Sequence, residues 1–457
     1  MNLSSLLFLV FFLALAAWYF GQQRALLFRQ QTQLHSQPRY HGAYVALWCG
    51  LPALLVLLLW SAMGPGVIDS ILAQEFSGES GNISSSDIGL MLNEVKNLAS
   101  QGQLTAAEPD VRELAHQYLG LQSSSRLYQA LLVVIIALAG GFWASSRLSA
   151  EYRTRNAVEK TVRYLLMGAS IIAILITVGI VMSVLFESIR FFKSVPISEF
   201  LFGLHWSPQT AIRTDQVAAS GSFGAIPLLA GTFLISFIAL CVAIPFGLMS
   251  AIYLSEYATP RFRGLAKPML EILAGVPTVV YGFFAALTVG PFIRLMGETI
   301  GLNPASESAL AAGLVMGVMI IPFISSLSDD AINAVPQSMR DGSYGLGATQ
   351  SETIGQVIIP AALPGIAGGI LLAASRAMGE TMIVVMAAGL TANLTANPLQ
   401  SVTTVTVQIV TLLTGDQEFD SPKTLSAFAL GLLLFVITLL LNLIALHVVR
   451  KYREQYE

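Results

Sequence analysis

The chain has 457 residues, of which 54% are hydrophobic and only 11% charged. A soluble protein carries roughly a quarter charged residues, and a mean hydropathy of +0.69 leaves too little polar surface to coat a chain of this length. The composition is that of an integral membrane protein. A net charge of −3 excludes a basic nucleic-acid footprint. Cys49 and Cys241 sit inside apolar runs and offer neither a disulfide framework nor a thiol metal site. The five histidines are scattered, with no metal-ligand spacing on a helix.

Runs of about 20 apolar residues read as membrane helices, because backbone groups must be paired within the bilayer. In chain order they fall near 3–20, 43–63, 128–144, 164–186, 225–253, 269–293, 308–327, 363–390 and 425–448, which makes about nine spans. The fifth and eighth are long enough to tilt or kink. Pro245 in the fifth and Pro277 in the sixth predict local bends. The segments near 21–42, 145–163, 254–268, 328–362 and 449–457 hold most of the 24 Lys and Arg residues. The positive-inside rule places them in the cytoplasm, with the N-terminus outside and the C-terminus inside. No Lys or Arg precedes the first run, which reads as an uncleaved helix rather than a signal peptide.

Two parts differ in texture. Residues 1–160 hold three spans and a polar outward loop, 64–127, with helix starts after Ser86-Asp87 and after Pro109-Asp110. That loop is either a docking surface or a solvated spacer. Residues 161–457 hold six spans rich in Gly, Ala and Pro, with outward loops at 187–222, containing Trp206-Ser207-Pro208, and at 391–424. Both loops could meet a soluble partner. The cytoplasmic loop 328–362 reads as a short helix, a glycine break, a second short helix and a proline stop. It is too apolar for a free linker, and reads either as a helical hairpin that docks a cytoplasmic partner or as a loop folded back on its own helices.

Arg376 and Glu380 are the ionisable pair deep inside the nine runs. A charge at that depth costs several kcal/mol and faces a polar cavity. Their four-residue spacing puts both on one helical face, where they can pair. The functional reading is an anion path, since a guanidinium fork suits two phosphate oxygens, with Glu380 holding Arg376 in place. The alternative is a buried ion pair that joins two helices. On the same helix, Gly365, Gly369, Ala373 and Ala377 recur at the spacing of close helix packing, and Asn442 in the last span suits a helix–helix hydrogen bond. No G-x-x-x-x-G-K-[ST] loop occurs, so the chain has no ATPase site of its own.

The loop also resembles a known family. Asp341-Gly342-Ser343, three residues, Gly347, nine residues, then Val357-Ile358-Ile359-Pro360 has the spacing of the coupling loop of ATP-binding-cassette (ABC) importer permeases. An acid stands where that family has Glu, and the usual Ala-Ala pair is replaced. Phe223-Gly224-Ala225-Ile226-Pro227, Tyr253-Leu254-Ser255-Glu256-Tyr257, Ala274 to Gly282 and above all Ser375-Arg376-Ala377-Met378-Gly379-Glu380-Thr381-Met382 resemble the C-type permease subunit of the phosphate-specific importer. The resemblance covers about 160–450 and gives the first 160 residues no role. It implies an all-α, six-helix type I importer core preceded by a three-helix extension, in a bacterial inner membrane. Its cargo would be inorganic phosphate, passing Arg376, Glu380 and Thr381. Asp341, Gly342, Ser343, Gly347 and Pro360 would couple the chain to a cytoplasmic ATPase dimer, which alone binds ATP. A second homologous permease and a periplasmic phosphate-binding protein would complete the assembly. A permease for molybdate or sulfate, or a membrane scaffold that senses phosphate, are the competing readings.

Overall fold

The computed structural model describes residues 3–29, 33–79, 93–99, 109–208, 221–414 and 420–452. Among them, nine helices are long and apolar enough to cross a membrane, one for each run read from the sequence. The chain divides into two compact units, Met1–Leu175 and Ile176–Glu457.

The first unit is built from α1 (Leu3–Arg29), α2 (Pro38–Glu79), a short helix α3 (93–99), α4 (Pro109–Ser146) and the first half of α5 (Thr154–Ser194). Leu6 and Val10 of α1, Cys49, Ala53 and Leu57 of α2, and Val133 and Ala137 of α4 form one apolar core. Small residues allow the approach: a Cβ on Gly42 would lie 2.5 Å from the Trp18 carbonyl oxygen, and one on Gly140 would lie 2.1 Å from that of Trp48. The expected polar loop 64–127 is largely helical where it is described. α2 continues to Glu79 and α4 starts at Pro109, while Lys96 of α3 pairs with Asp69 of α2 at 2.8 Å. The helix start expected after Pro109-Asp110 is the start of α4; the one at Ser86-Asp87 lies outside the described residues.

In the second unit, α6 (Ile197–Phe202) and a two-residue antiparallel ladder, β1 (Trp206–Ser207) with β2 (Ser222–Phe223), lead into α7 (Ile226–Ile252). α7 ends in a π-helical turn, Tyr253–Tyr257. Then come α8 (Pro260–Ala274), α9 (Thr278–Phe284), a second π turn (Ala285–Val289), α10 (Gly290–Thr299) and α11 (Ala309–Asn333). The hairpin helices α12 (Gln337–Gly345) and α13 (Gln350–Thr353) are followed by a third π turn, α14 (Ile359–Met378), α15 (Met382–Ala387), α16 (Val405–Leu413) and α17 (Pro422–Tyr452). α7 and α11 pack through glycines: a Cβ on Gly313 would meet Ile238 Cβ at 2.7 Å, and one on Gly317 would meet Val242 Cβ at 2.8 Å. The stripe of small residues on α14 packs as expected, with Gly365 against Ala331 and Gly369 against Leu327 of α11.

Two expectations about the spans are corrected here. The sixth run is two helices, because Gly275 and Pro277 end α8 and cap α9 rather than bending one helix. The Tyr281 hydroxyl donates across that break to the Leu273 carbonyl (2.8 Å). The eighth run ends at Met378, with Gly379 as its cap; the residues after it fold into α15 and α16, whose inner faces are buried. Trp206, within the loop 187–222, is buried with Phe223, and its N–H donates to Gln408 Oε1 of α16 (3.0 Å). Asn442 makes no hydrogen bond through its Oδ1.

Candidate functional site

Where α14 stops decides what Arg376 can do. The arginine occupies the last turn of α14, close to the helix C-terminus, where the helix dipole favours a cation. Its guanidinium lies over the Phe323 ring of α11, 5.5 Å from the centroid, a contact worth about 0.5–2 kcal/mol depending on desolvation. It lines a cavity of about 290 Å³ between α8, α11 and α14, together with Lys267, Glu271, Phe323, Ser325, Ser326 and Asp329.

The pairing of Arg376 with Glu380 predicted from spacing does not form. Glu380 lies beyond the helix, and its carboxylate instead accepts from the Met382 and Ile383 amides (3.0 and 3.4 Å), capping α15. The four-residue rule holds only while the helix continues, and Gly379 ends it. Among the described residues, no ion pair reaches Arg376, so its positive charge remains available to the cavity. Thr381 stands at the same turn, its hydroxyl donating weakly to the Gly379 carbonyl (3.4 Å).

The seventh apolar run ends near residue 327, and the helix that carries it continues past that point to an acid. α11 runs on to Asn333 and carries Asp329, whose side chain is 5% exposed. Arg263 Nη2 donates to both its oxygens (2.9 and 3.1 Å), and Lys267 Nζ donates to Oδ2 (2.8 Å). Both cations come from α8, spaced four residues apart on one face. The Asp329 carboxylate holds the Lys267 ammonium above its ordinary value. Spacing of Arg263 and Lys267 was the available signal; their partner could not be read without the fold.

The hairpin after α11 has an inner and an outer side. Its base packs through Val335, Met339, Ile354 and Ile358 onto Ala251 and Ile332. Arg340 forms an ion pair with Glu256 of the first π turn, with side chains only 13% and 6% exposed, and also donates to the Ile332 carbonyl (2.9 Å). Gln350 donates to the Glu256 carbonyl (2.7 Å). Gly347 takes φ +87°, a left-handed conformation suited to glycine. It turns the chain into α13, which opens with a Thr349/Glu352 capping box. Asp341 and Gly342 face outward on α12, and Ser343 is half-buried against Thr353 (2.9 Å). The proline stop expected at Pro360 does not occur: the helix runs from Gln350 through the π turn and past Pro360 to Met378. At the tip, Leu346 is 92% exposed and Tyr344 lies beside it, also exposed. The two readings of this loop are therefore two sides of one hairpin: the base folds back on its own helices, and the tip presents apolar surface outward.

Comparison with known proteins identifies the architecture. Residues 243–454 match the family described as "Binding-protein-dependent transport system inner membrane component". Residues 7–176, to which the sequence reading gave no role, match one described as "Phosphate ATP-binding cassette transporter". A probable ABC transporter permease of Bacillus subtilis, YqgH, is 32% identical over 66% of this chain and 94% of its own length. The chain belongs to the permease family of phosphate-type ABC importers. The phosphate transport system permease PstC of Mesorhizobium japonicum is 31% identical over 61% of this chain and 86% of its own. For PstC 1 of Mycobacterium tuberculosis the figures are 33%, 55% and 81%. In this family's terms the chain is a multi-pass membrane permease, one subunit of an ABC transporter that works with an ATPase and a substrate-binding partner.

Proposed function

We propose that the chain forms half of the translocation pathway of an ATP-driven importer of inorganic phosphate, with Arg376 as the group that meets the anion. The observation that carries this is an unpaired guanidinium facing a cavity that also presents Ser325 and Ser326. A planar fork of donors can hold two phosphate oxygens, and one cation at a helix end binds an anion without trapping it. Glu380 supports this by fixing the turn that follows Arg376, not by neutralising it, and Thr381 lies in that turn. The relatives named for phosphate transport support the choice of cargo.

Energy enters through the hairpin. α12, with Asp341, Gly342 and Ser343 along it and Leu346 at its tip, docks into a cleft of a cytoplasmic ATPase dimer. Gly347 sets the turn between the two hairpin helices, and Pro360 lies where the second of them enters α14. ATP is held by that partner and no cofactor by this chain. Nucleotide-driven movement of the hairpin would rock the attached helices between inward-open and outward-open arrangements. A second, homologous permease supplies the other half of the path, and a periplasmic phosphate-binding protein delivers cargo. In this arrangement the chain sits in a bacterial inner membrane with its N-terminus outside and Arg450-Lys451 inside.

The test is uptake of radiolabelled phosphate by cells that lack their own high-affinity importer and carry the full set of subunits, with this chain intact or as Arg376→Gln. Uptake by the intact set, lost in a variant that still assembles, supports the assignment. Equal uptake by both removes Arg376 from the path. An assembled intact set that imports molybdate or sulfate but not phosphate changes the cargo, and one that imports no oxyanion while still altering the cell's response to phosphate favours the sensing scaffold.

A further inference from the structure

Asp329 has one negative charge and two cationic partners. Arg263 Nη2 already donates to both of its oxygens, at 2.9 and 3.1 Å, so one guanidinium balances the carboxylate's charge. The Lys267 ammonium is surplus to that pairing. It lines the same cavity as Arg376, whereas Arg263 does not, and its side chain is 37% exposed against 5% for Asp329. Helix α8, which carries it, has no fully buried residue, so the ion cluster on Asp329 adds to the partly buried packing of Leu273 in joining α8 to α11. An ammonium on a four-carbon stem can leave a carboxylate for a nearby anion without moving the backbone.

We propose that Lys267 is a second anion-binding group of the pathway, exchanging Asp329 for the oxyanion after Arg376 while Arg263 keeps Asp329 paired. The inference rests on the importer reading. Asp329 then acts as a resident competitor: it occupies Lys267 when no cargo is present and retakes it when cargo leaves, which prevents tight trapping. The plain alternative is that the three side chains only hold α8 against α11. The two differ in one respect. For a structural tie, Arg263 alone still pairs Asp329, so a variant without the Lys267 ammonium either assembles and transports as before or fails in assembly. For an anion ligand, assembly holds and uptake falls.

The experiment compares phosphate uptake, at phosphate well below half-saturation, by the complete transporter carrying the intact chain, Lys267→Gln or Lys267→Arg, with co-purification of the subunits scoring assembly. The expected result is a loss of about tenfold or more for Lys267→Gln, the size of one charge-assisted hydrogen bond. Lys267→Gln should still assemble, and Lys267→Arg should retain uptake. Intact uptake by Lys267→Gln, or loss of assembly together with uptake, overturns the proposal in favour of the structural tie. Failure of the importer reading itself is distinguishable, because the intact chain would then not take up phosphate.

Discussion

Replacing Arg340 by Ala would remove the ion pair that anchors the hairpin to the turn after α7. Glu256, 6% exposed, would lose its cationic partner, and the Ile332 carbonyl would lose the donor it receives from Arg340. Breaking a buried pair from one side costs about 3–5 kcal/mol. At 13% exposure Arg340 is not fully dry, which places the cost toward the lower end. If that energy holds the closed hairpin, its opening equilibrium should rise by roughly two orders of magnitude. Amide hydrogen exchange on the purified chain in lipid nanodiscs reads this directly: amides across 337–349 should lose protection in Arg340→Ala, while those of the α7–α11 core keep theirs. Replacing both partners, Arg340→Met with Glu256→Leu, should restore much of the protection, since no buried charge is then unpaired. Unchanged exchange across 337–349 in Arg340→Ala would refute the reasoning and assign the anchor to the apolar base around Val335 and Ile354.

Leu346→Asp places a charge at a residue that is 92% exposed. It should leave thermal stability unchanged yet abolish co-purification of the ATPase; retained binding would move the docking surface elsewhere on the hairpin. Gly313→Val adds bulk where even a Cβ would come within 2.7 Å of Ile238. It should destabilise the α7–α11 pair by about 1–3 kcal/mol, measured as earlier thermal aggregation in detergent. Glu380→Ala should cost about 1 kcal/mol through loss of the α15 cap, whereas Glu380→Gln keeps an accepting oxygen and should retain most uptake. Uptake lost as completely in Glu380→Gln as in Arg376→Gln would show that the negative charge itself is required.

The relation between sequence and structure differs from element to element. Nine apolar runs announce the nine helices, among the described residues, that are long and apolar enough to cross a membrane, because a bilayer demands about 20 apolar residues and full backbone pairing, a constraint that acts locally. The glycine break of the hairpin was legible for a similar reason: Gly347 needs its left-handed conformation, and Thr349 and Glu352 cap each other two residues on. The stop expected at Pro360 was not, because a π turn carries the helix past it. Arg376 drew notice as a charge among apolar neighbours, which is again a one-dimensional signal.

Partners were another matter. Spacing paired Arg376 with Glu380, but Gly379 ends the helix between them, and Glu380 turns to the amides of α15. Nothing in the order of residues says that Arg263 and Lys267 meet Asp329 more than 60 positions away, or that Arg340 meets Glu256 at a separation of 84. Composition and periodicity state what each segment must do with its own backbone and its own solvent. Which charges share a cavity depends on how glycine faces such as Gly313 and Gly317 let α7 and α11 close together, and on where each helix stops. Those are properties of packing between segments distant in sequence, and only the folded chain carries them.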